Sequence, residues 1–499
     1  MRLLAGGGMG SDMAAAWRVL VLSLVGLLLS CKPQGKHEEG TTAGADKTEA
    51  GTASARPSLS SADQKRREAR LKWNLATLVG DYEKKGVRDP KWNQDAIRAL
   101  QLLAKARAYG PQEVSGFPED VATASRAAVE AGCTDPLIRY VYARFGLPTR
   151  DTNEIAAFFK EVSWSLASSE YSSLRKFYGG LRAAEAQYRI SGYFGSGNQG
   201  SVEAWKLFRF AHQQLDKFLT DKTAPVEEVD DACHEYFHLA GRITGDLQAV
   251  FGTTEAALLA NWSKASVAHL IRGEFYVQYA WVNRGSGFAN TVTPEGWKGF
   301  QERLAVGEEA LAQAWKLNPQ DARIANTMLD LELGQGKGRG RMEQWFQRAM
   351  DKHPDNYDAC SKKLYYLEPK WYGSAEEMLR FGRECVDSET WIGYVPLVLR
   401  EAHDSLAIYV EKDKRSAYWK QPEVWPDLKA SFEKFFQLNP DATRWRHNYA
   451  RYAYWCEQWD DLNEQLKLLG EINYEFFGGP DEFEKMAALA KKHETTTAK

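Results

Sequence analysis

Apolar side chains recur every three or four residues from about residue 63 nearly to the end of the chain, and no stretch sustains the strict alternation of a half-buried strand. Trp92, Ala96, Leu100 and Leu103 make one such stripe. Cys133-Thr134-Asp135-Pro136 stops it and restarts a helix carrying Leu137, Tyr140, Val141 and Phe145. Residues 153–190 hold two further amphipathic helices, and the glycine-rich residues 193–200 form the best boundary inside the body. Beyond it the pattern predicts helices near 201–221, 225–244, 254–283 and 295–316. Thr293 should cap the last of these, with Pro294 at its first helical position.

From Leu311 onward one grammar repeats. Leu317-Asn318-Pro319, His353-Pro354 and Leu438-Asn439-Pro440 each close a helix, because proline has no amide hydrogen to continue it. Eight residues before each proline stands Leu311, Phe346 or Phe432, to face a partner helix. Five before the first two stand Ala314 and Ala349, small enough for two backbones to approach. The first two prolines are 35 residues apart, close to the roughly 34-residue period of a helix-turn-helix repeat. The stretch resembles a degenerate tetratricopeptide repeat. That likeness implies an all-α, right-handed α-solenoid of helical hairpins, a class that usually holds partners rather than performing reactions. The expected divisions are residues 62–195 and 196–318 as two helical regions and 319–493 as the repeats. Arg272-Gly273-Glu274-Phe275-Tyr276, Glu332-Leu333-Gly334-Gln335-Gly336, Trp371-Tyr372-Gly373-Ser374 and Phe381-Gly382-Arg383-Glu384-Cys385 resemble a group of repeat-containing bacterial proteins with no assigned activity.

The first 61 residues follow a different pattern. Arg18 precedes an apolar run of eleven residues, Val19 to Leu29, the length of a signal-peptide core and too short to span a bilayer. It ends in Leu28-Leu29-Ser30-Cys31, which resembles the lipobox of bacterial lipoproteins. The resemblance implies removal of residues 1–30 and acylation of Cys31, anchoring the chain at about 0.8 kcal/mol per buried methylene. Residues 31–61 hold almost no large apolar side chain and read as a flexible tether to the body. Met9 or Met13 serves equally well as the start.

Composition changes the picture little. A hydrophobic fraction of 44% supports a packed core, and a net charge of -3 gives no reason to expect nucleic acid as a partner. Seventeen tryptophans and forty glycines suit short helices joined by tight turns. The expected function is a membrane-anchored lipoprotein scaffold in the cell envelope, its folded body periplasmic or surface-exposed, binding protein or peptide partners.

His234-Glu235-Tyr236-Phe237-His238 is the sharpest chemical signal, an H-E-x-x-H in which two histidines four apart share a helix face. Such a pair can clamp zinc while Glu235 activates the metal-bound water, which makes a zinc-dependent metallohydrolase the alternative. Gly241 fits the metzincin extension, but its third ligand position holds Thr244; Glu255 and His269 are possible substitutes. The competing reading is a partly buried polar helix face with no cofactor. Arg284, beside Gly285 and Gly287, could bind an anion or tie down turn carbonyls. Lys337, Arg339 and Arg341 lack phosphate-loop spacing and read as a basic turn. With Cys31 acylated, five cysteines remain, of which Cys360 and Cys385 lie in consecutive helices and form either a disulfide or buried thiols. Trp445, Tyr449, Tyr452, Trp455 and Trp459 have helical spacing, either as core or as a groove for peptide or cell-wall polysaccharide beside Arg444, Arg446 and Arg451.

Overall fold

The computed structural model describes residues 61–191, 199–243, 247–285, 287 and 289–497. Cys31, the signal segment and most of the tether lie outside them. The chain from Leu59 onward forms a single unit. Among the described residues every regular element is helical.

In chain order the helices are α1 (Ser61–Leu75), α2 (Asp81–Lys85), α3 (Asn93–Tyr109), α4 (Glu119–Glu130), α5 (Pro136–Val141), α6 (Thr152–Ala167) and α7 (Ser173–Ile190). Next come α8 (Gln199–Phe218), α9 (Val226–Ile243), α10 (Leu247–Trp262), α11 (Ser266–Arg284) and α12 (Pro294–Leu317). The remainder are α13 (Ala322–Gln335), α14 (Arg339–Lys352), α15 (Tyr357–Tyr366), α16 (Ala375–Asp387), α17 (Val398–Tyr409), α18 (Arg415–Trp419), α19 (Val424–Leu438), α20 (Trp445–Trp455), α21 (Trp459–Leu468) and α22 (Pro480–Thr497). Chain neighbours pack as pairs, α7 on α8, α11 on α12, α13 on α14, α16 on α17, α20 on α21. Alternate helices also touch, so that α7, α9, α11, α13, α15 and α17 lie each against the next.

The predicted punctuation is present in atomic detail. The Asp135 carboxylate accepts from the amides of Leu137 and Ile138 with Pro136 at the first helical position, and the Thr293 hydroxyl accepts from the Gly296 amide at 3.0 Å. Helices α12, α14 and α19 end at the residues predicted from the prolines, and Leu311, Phe346, Phe432, Ala314 and Ala349 are all buried. One expectation fails. The helix foreseen over 254–283 is two, because Ala265 turns to φ -93°, ψ 131°. The break lets the Trp262 indole donate to the Leu219 carbonyl and the Ser266 hydroxyl to that of Ala314, tying both flanks to neighbouring helices.

Buried side chains form two clusters, Leu78 to Phe275 and Leu270 to Ala490, and both draw on α11. Ala268, Ile271 and Phe275 join the first; Leu270, Val277 and Ala280 join the second. Close approach at Gly273 makes this possible: a Cβ there would lie 2.5 Å from Leu311 Cγ on α12, inside van der Waals contact. Gly273→Ala is expected to destabilise the chain by about 1–3 kcal/mol through overpacking, read as a lower urea midpoint at unchanged slope.

Candidate functional site

The H-E-x-x-H lies on α9 with both histidines on one face, as predicted, but His234 and Glu235 are already engaged with neighbouring side chains. His234 Nδ1 is 3.0 Å from the Asp230 carbonyl and 2.9 Å from Asp230 Oδ1, and its Nε2 is 2.8 Å from Glu274 Oε2 on α11. Burial lowers the His234 pKa, but the Glu274 carboxylate, aided by Asp230, outweighs it and holds the imidazolium well above the usual histidine range. Glu235, the would-be base, is ion-paired with Arg182 of α7. His238 is pushed the other way, its pKa lowered by burial and then by the Arg242 guanidinium.

The substitutes are occupied too. Glu255 accepts from Arg272 at 2.6 Å and from Tyr276, and His269 Nε2 meets the Ser263 carbonyl at 2.8 Å; Thr244 lies outside the described residues. Among the described residues no group of three or more His, Cys, Asp or Glu side chains is disposed to hold a metal ion. His234 thus stands between two carboxylates, Asp230 and Glu274, as an ion pair.

Arg284 is held as a turn clamp. Its Nη1 donates to the carbonyls of Gly285 and Gly287 at 3.2 and 3.1 Å, and its guanidinium lies 5.3–5.8 Å from the ring centroids of Trp281, Trp297 and Trp371. The basic turn at Lys337–Arg341 is likewise internal business, since Lys337 and Arg341 both meet Glu308, Arg341 also reaches the buried Glu332, and Arg339 meets Glu377. Tyr449 and Tyr452 are core residues, Tyr449 stacked on Phe432 with centroids 4.9 Å apart, while Trp445, Trp455 and Trp459 are half-buried, and Tyr449 with Arg446 borders an open pocket beside Phe436, Glu464 and Gln465. Cys360 and Cys385 are both buried free thiols, and Cys360 Sγ donates to Met350 Sδ at 3.7 Å.

The largest polar arrangement is one the sequence reading missed. It crosses successive alternate helices. Arg323 on α13 reaches Asp230 of α9 at 2.7 Å; Lys362 of α15 reaches Asp330 of α13 at 2.7 Å and lies 3.7 Å from Asp358. Asn326 and Asn356 donate to one another's side-chain oxygens. Tyr357 and Ser361 donate to Glu401 of α17 at 2.6 and 2.9 Å, and Tyr452 of α20 donates to Asp404 of α17 at 2.6 Å while accepting from Arg400. Part of the arrangement reaches water, the side chains of His234 and Asp330 being 41% and 33% exposed, while Tyr452 is buried. Burial raises the Asp330 pKa, Lys362 opposing it; on Lys362 burial acts downward and is overcome by Asp330 and Asp358. A signal was available in charged residues set next to buried leucines, Asp330 between Leu329 and Leu331 and Arg400 beside Leu399.

Compared with known proteins, the chain matches no family model and no curated protein.

Two measurements test this account. A histidine whose native pKa is raised contributes its stability in full below the unfolded value near 6.5 and loses it as pH climbs through the native value. His234→Gln should therefore lower the unfolding free energy most at about pH 6, by no more than about 1 kcal/mol for so open a pair, with the gap closing as pH rises. The second concerns the thiols: Cys133, Cys233, Cys360, Cys385 and Cys456 are all buried, and burial raises the pKa of Cys133 to about 11 and that of Cys456 to about 12. All five should resist maleimide labelling in native protein and react together on denaturation.

Proposed function

We propose that the chain is a lipid-anchored scaffold of the bacterial cell envelope, a right-handed α-solenoid of tetratricopeptide-like hairpins whose row of polar alternate-helix side chains binds a protein or peptide partner. The observation that carries this is the row itself. Charged and amide groups recur on α9, α11, α13, α15, α17 and α20, linked from helix to helix and partly open to water. Keeping so many polar groups on otherwise buried faces costs desolvation that apolar side chains would avoid. Hydrogen-bonding a partner segment gives that cost a use, and such a row offers donors and acceptors at each successive helix. None of the described helices is long and apolar enough to cross a membrane, so attachment would rest on acylated Cys31 and its tether.

A photo-crosslinking residue placed at Asn326 or Ser361 should trap the same partner in the envelope of the source cell, and one at the exposed Lys298 on α12 should not. Equal trapping from all three positions overturns the row as the binding face. Mass spectrometry of the mature chain should find Cys31 first and acylated; a first residue free of fatty acid removes the anchor while leaving the scaffold standing.

A further inference from the structure

At the N-terminal side of the same unit, three arginines meet two carboxylates. Glu228 of α9, fully buried, accepts from Arg70 of α1 and Asn74 through Oε1 and from Arg107 of α3 through Oε2. Asp231, one turn on, accepts from Arg70 and Arg107 through Oδ2. Both acids are thus spent on two of the bases. The third, Arg175 of α7, is 4% exposed and makes one hydrogen bond, Nη2 to the Thr77 hydroxyl at 3.0 Å; its Nε is buried with no acceptor. Its one flanking ring is Trp73, 6.0 Å away.

A buried guanidinium without a carboxylate is the arrangement proteins avoid, because burial favours the uncharged form and arginine does not readily give up its proton. Burial, and then repulsion from Arg107, depress the Arg175 pKa to about 10. The next turn of α7 supplies a second unused donor. Tyr178, also buried, accepts from Arg107 at 2.8 Å, and its own hydroxyl proton has no acceptor among the described residues. The side chain of Asp231 is 43% exposed, so the cluster opens to water on that side.

We propose that Arg175, Arg107 and Tyr178 form a binding site for a carboxylate group. Three positive charges against two negative leave a deficit of one, which a carboxylate fills and a phosphate dianion would overshoot. A carboxylate also matches the planar fork that a guanidinium presents, with Tyr178 able to donate a further bond. The site stands apart from the polar row, and its failure would leave the scaffold reading untouched. The carboxylate comes either from a small free acid or from an acidic peptide, and the experiment separates the two.

The full chain, held at constant ionic strength, is titrated by calorimetry and thermal unfolding with acetate, glutarate, inorganic phosphate, chloride, and a short acidic peptide carrying either a free or an amidated C-terminus. Carboxylates should bind saturably and raise the melting temperature above the chloride control. Peptide outperforming glutarate assigns the group to a protein partner, the reverse assigns it to a free acid, and loss on amidation places it at a chain end. Arg175→Met should abolish this response while leaving the anion-free protein as stable as wild type or more so, since it removes an uncompensated charge. Tyr178→Phe, a near-isosteric change, should weaken carboxylate binding about tenfold. The proposal is overturned if wild type responds to carboxylates no more than to chloride, if phosphate alone binds, or if Arg175→Met lowers stability and keeps the response.

Discussion

Helix α11 has to be apolar on two opposite sides at once, and the rest of the unit is arranged around that demand. An amphipathic helix ordinarily commits one stripe to a core and leaves the rest to water. Here Phe275 stacks on Phe251 with centroids 3.7 Å apart while Trp281 packs against Phe300 at 4.9 Å on the way to the second cluster. The glycine that lets α12 approach leaves room for little else. Among the polar side chains left to α11, Glu274 faces His234 on the preceding alternate helix.

Polar side chains recur on the neighbouring alternate helices. Each has one side against its chain partner and others against the alternate helices before and after it, so polar groups that cannot face open solvent must pair across the gap. The pairs are modest in energy where water reaches them, but they are directional. Lys362 satisfied by Asp330, or Tyr357 by Glu401, is satisfied at one relative placement of two helices, so the row fixes register between units whose apolar contacts alone would tolerate sliding. Arg284, clamped by two carbonyls among three indoles, does the same for a single turn.

The elements were legible because their punctuation is local. Asp135, Thr293 and the three asparagine- or histidine-proline breaks act on amides within a few residues, and each is found where the sequence places it. The break after Trp262 was not legible, since what holds it, the Leu219 and Ala314 carbonyls, lies 43 and 48 residues from the donors. The histidine pair shows a different limit. Spacing put His234 and His238 on one face correctly, but the groups that pair with the motif, Glu274 with His234 and Arg182 with Glu235, come from other helices and leave no mark on a five-residue motif. For the polar row the trace was present as charged residues next to buried leucines, and its meaning depended on which helices touch.

The five thiols sealed in the core carry a consequence for how the chain is made. A thiol with no ready access to solvent is a poor nucleophile and a poor target for oxidants. Chemical vulnerability is then concentrated in the interval before packing is complete, when the sulfurs are solvated and ionise normally. Wherever the chain matures in oxidising surroundings, the rate of collapse competes directly with sulfur chemistry, and rapid burial does the work that a reducing environment does elsewhere.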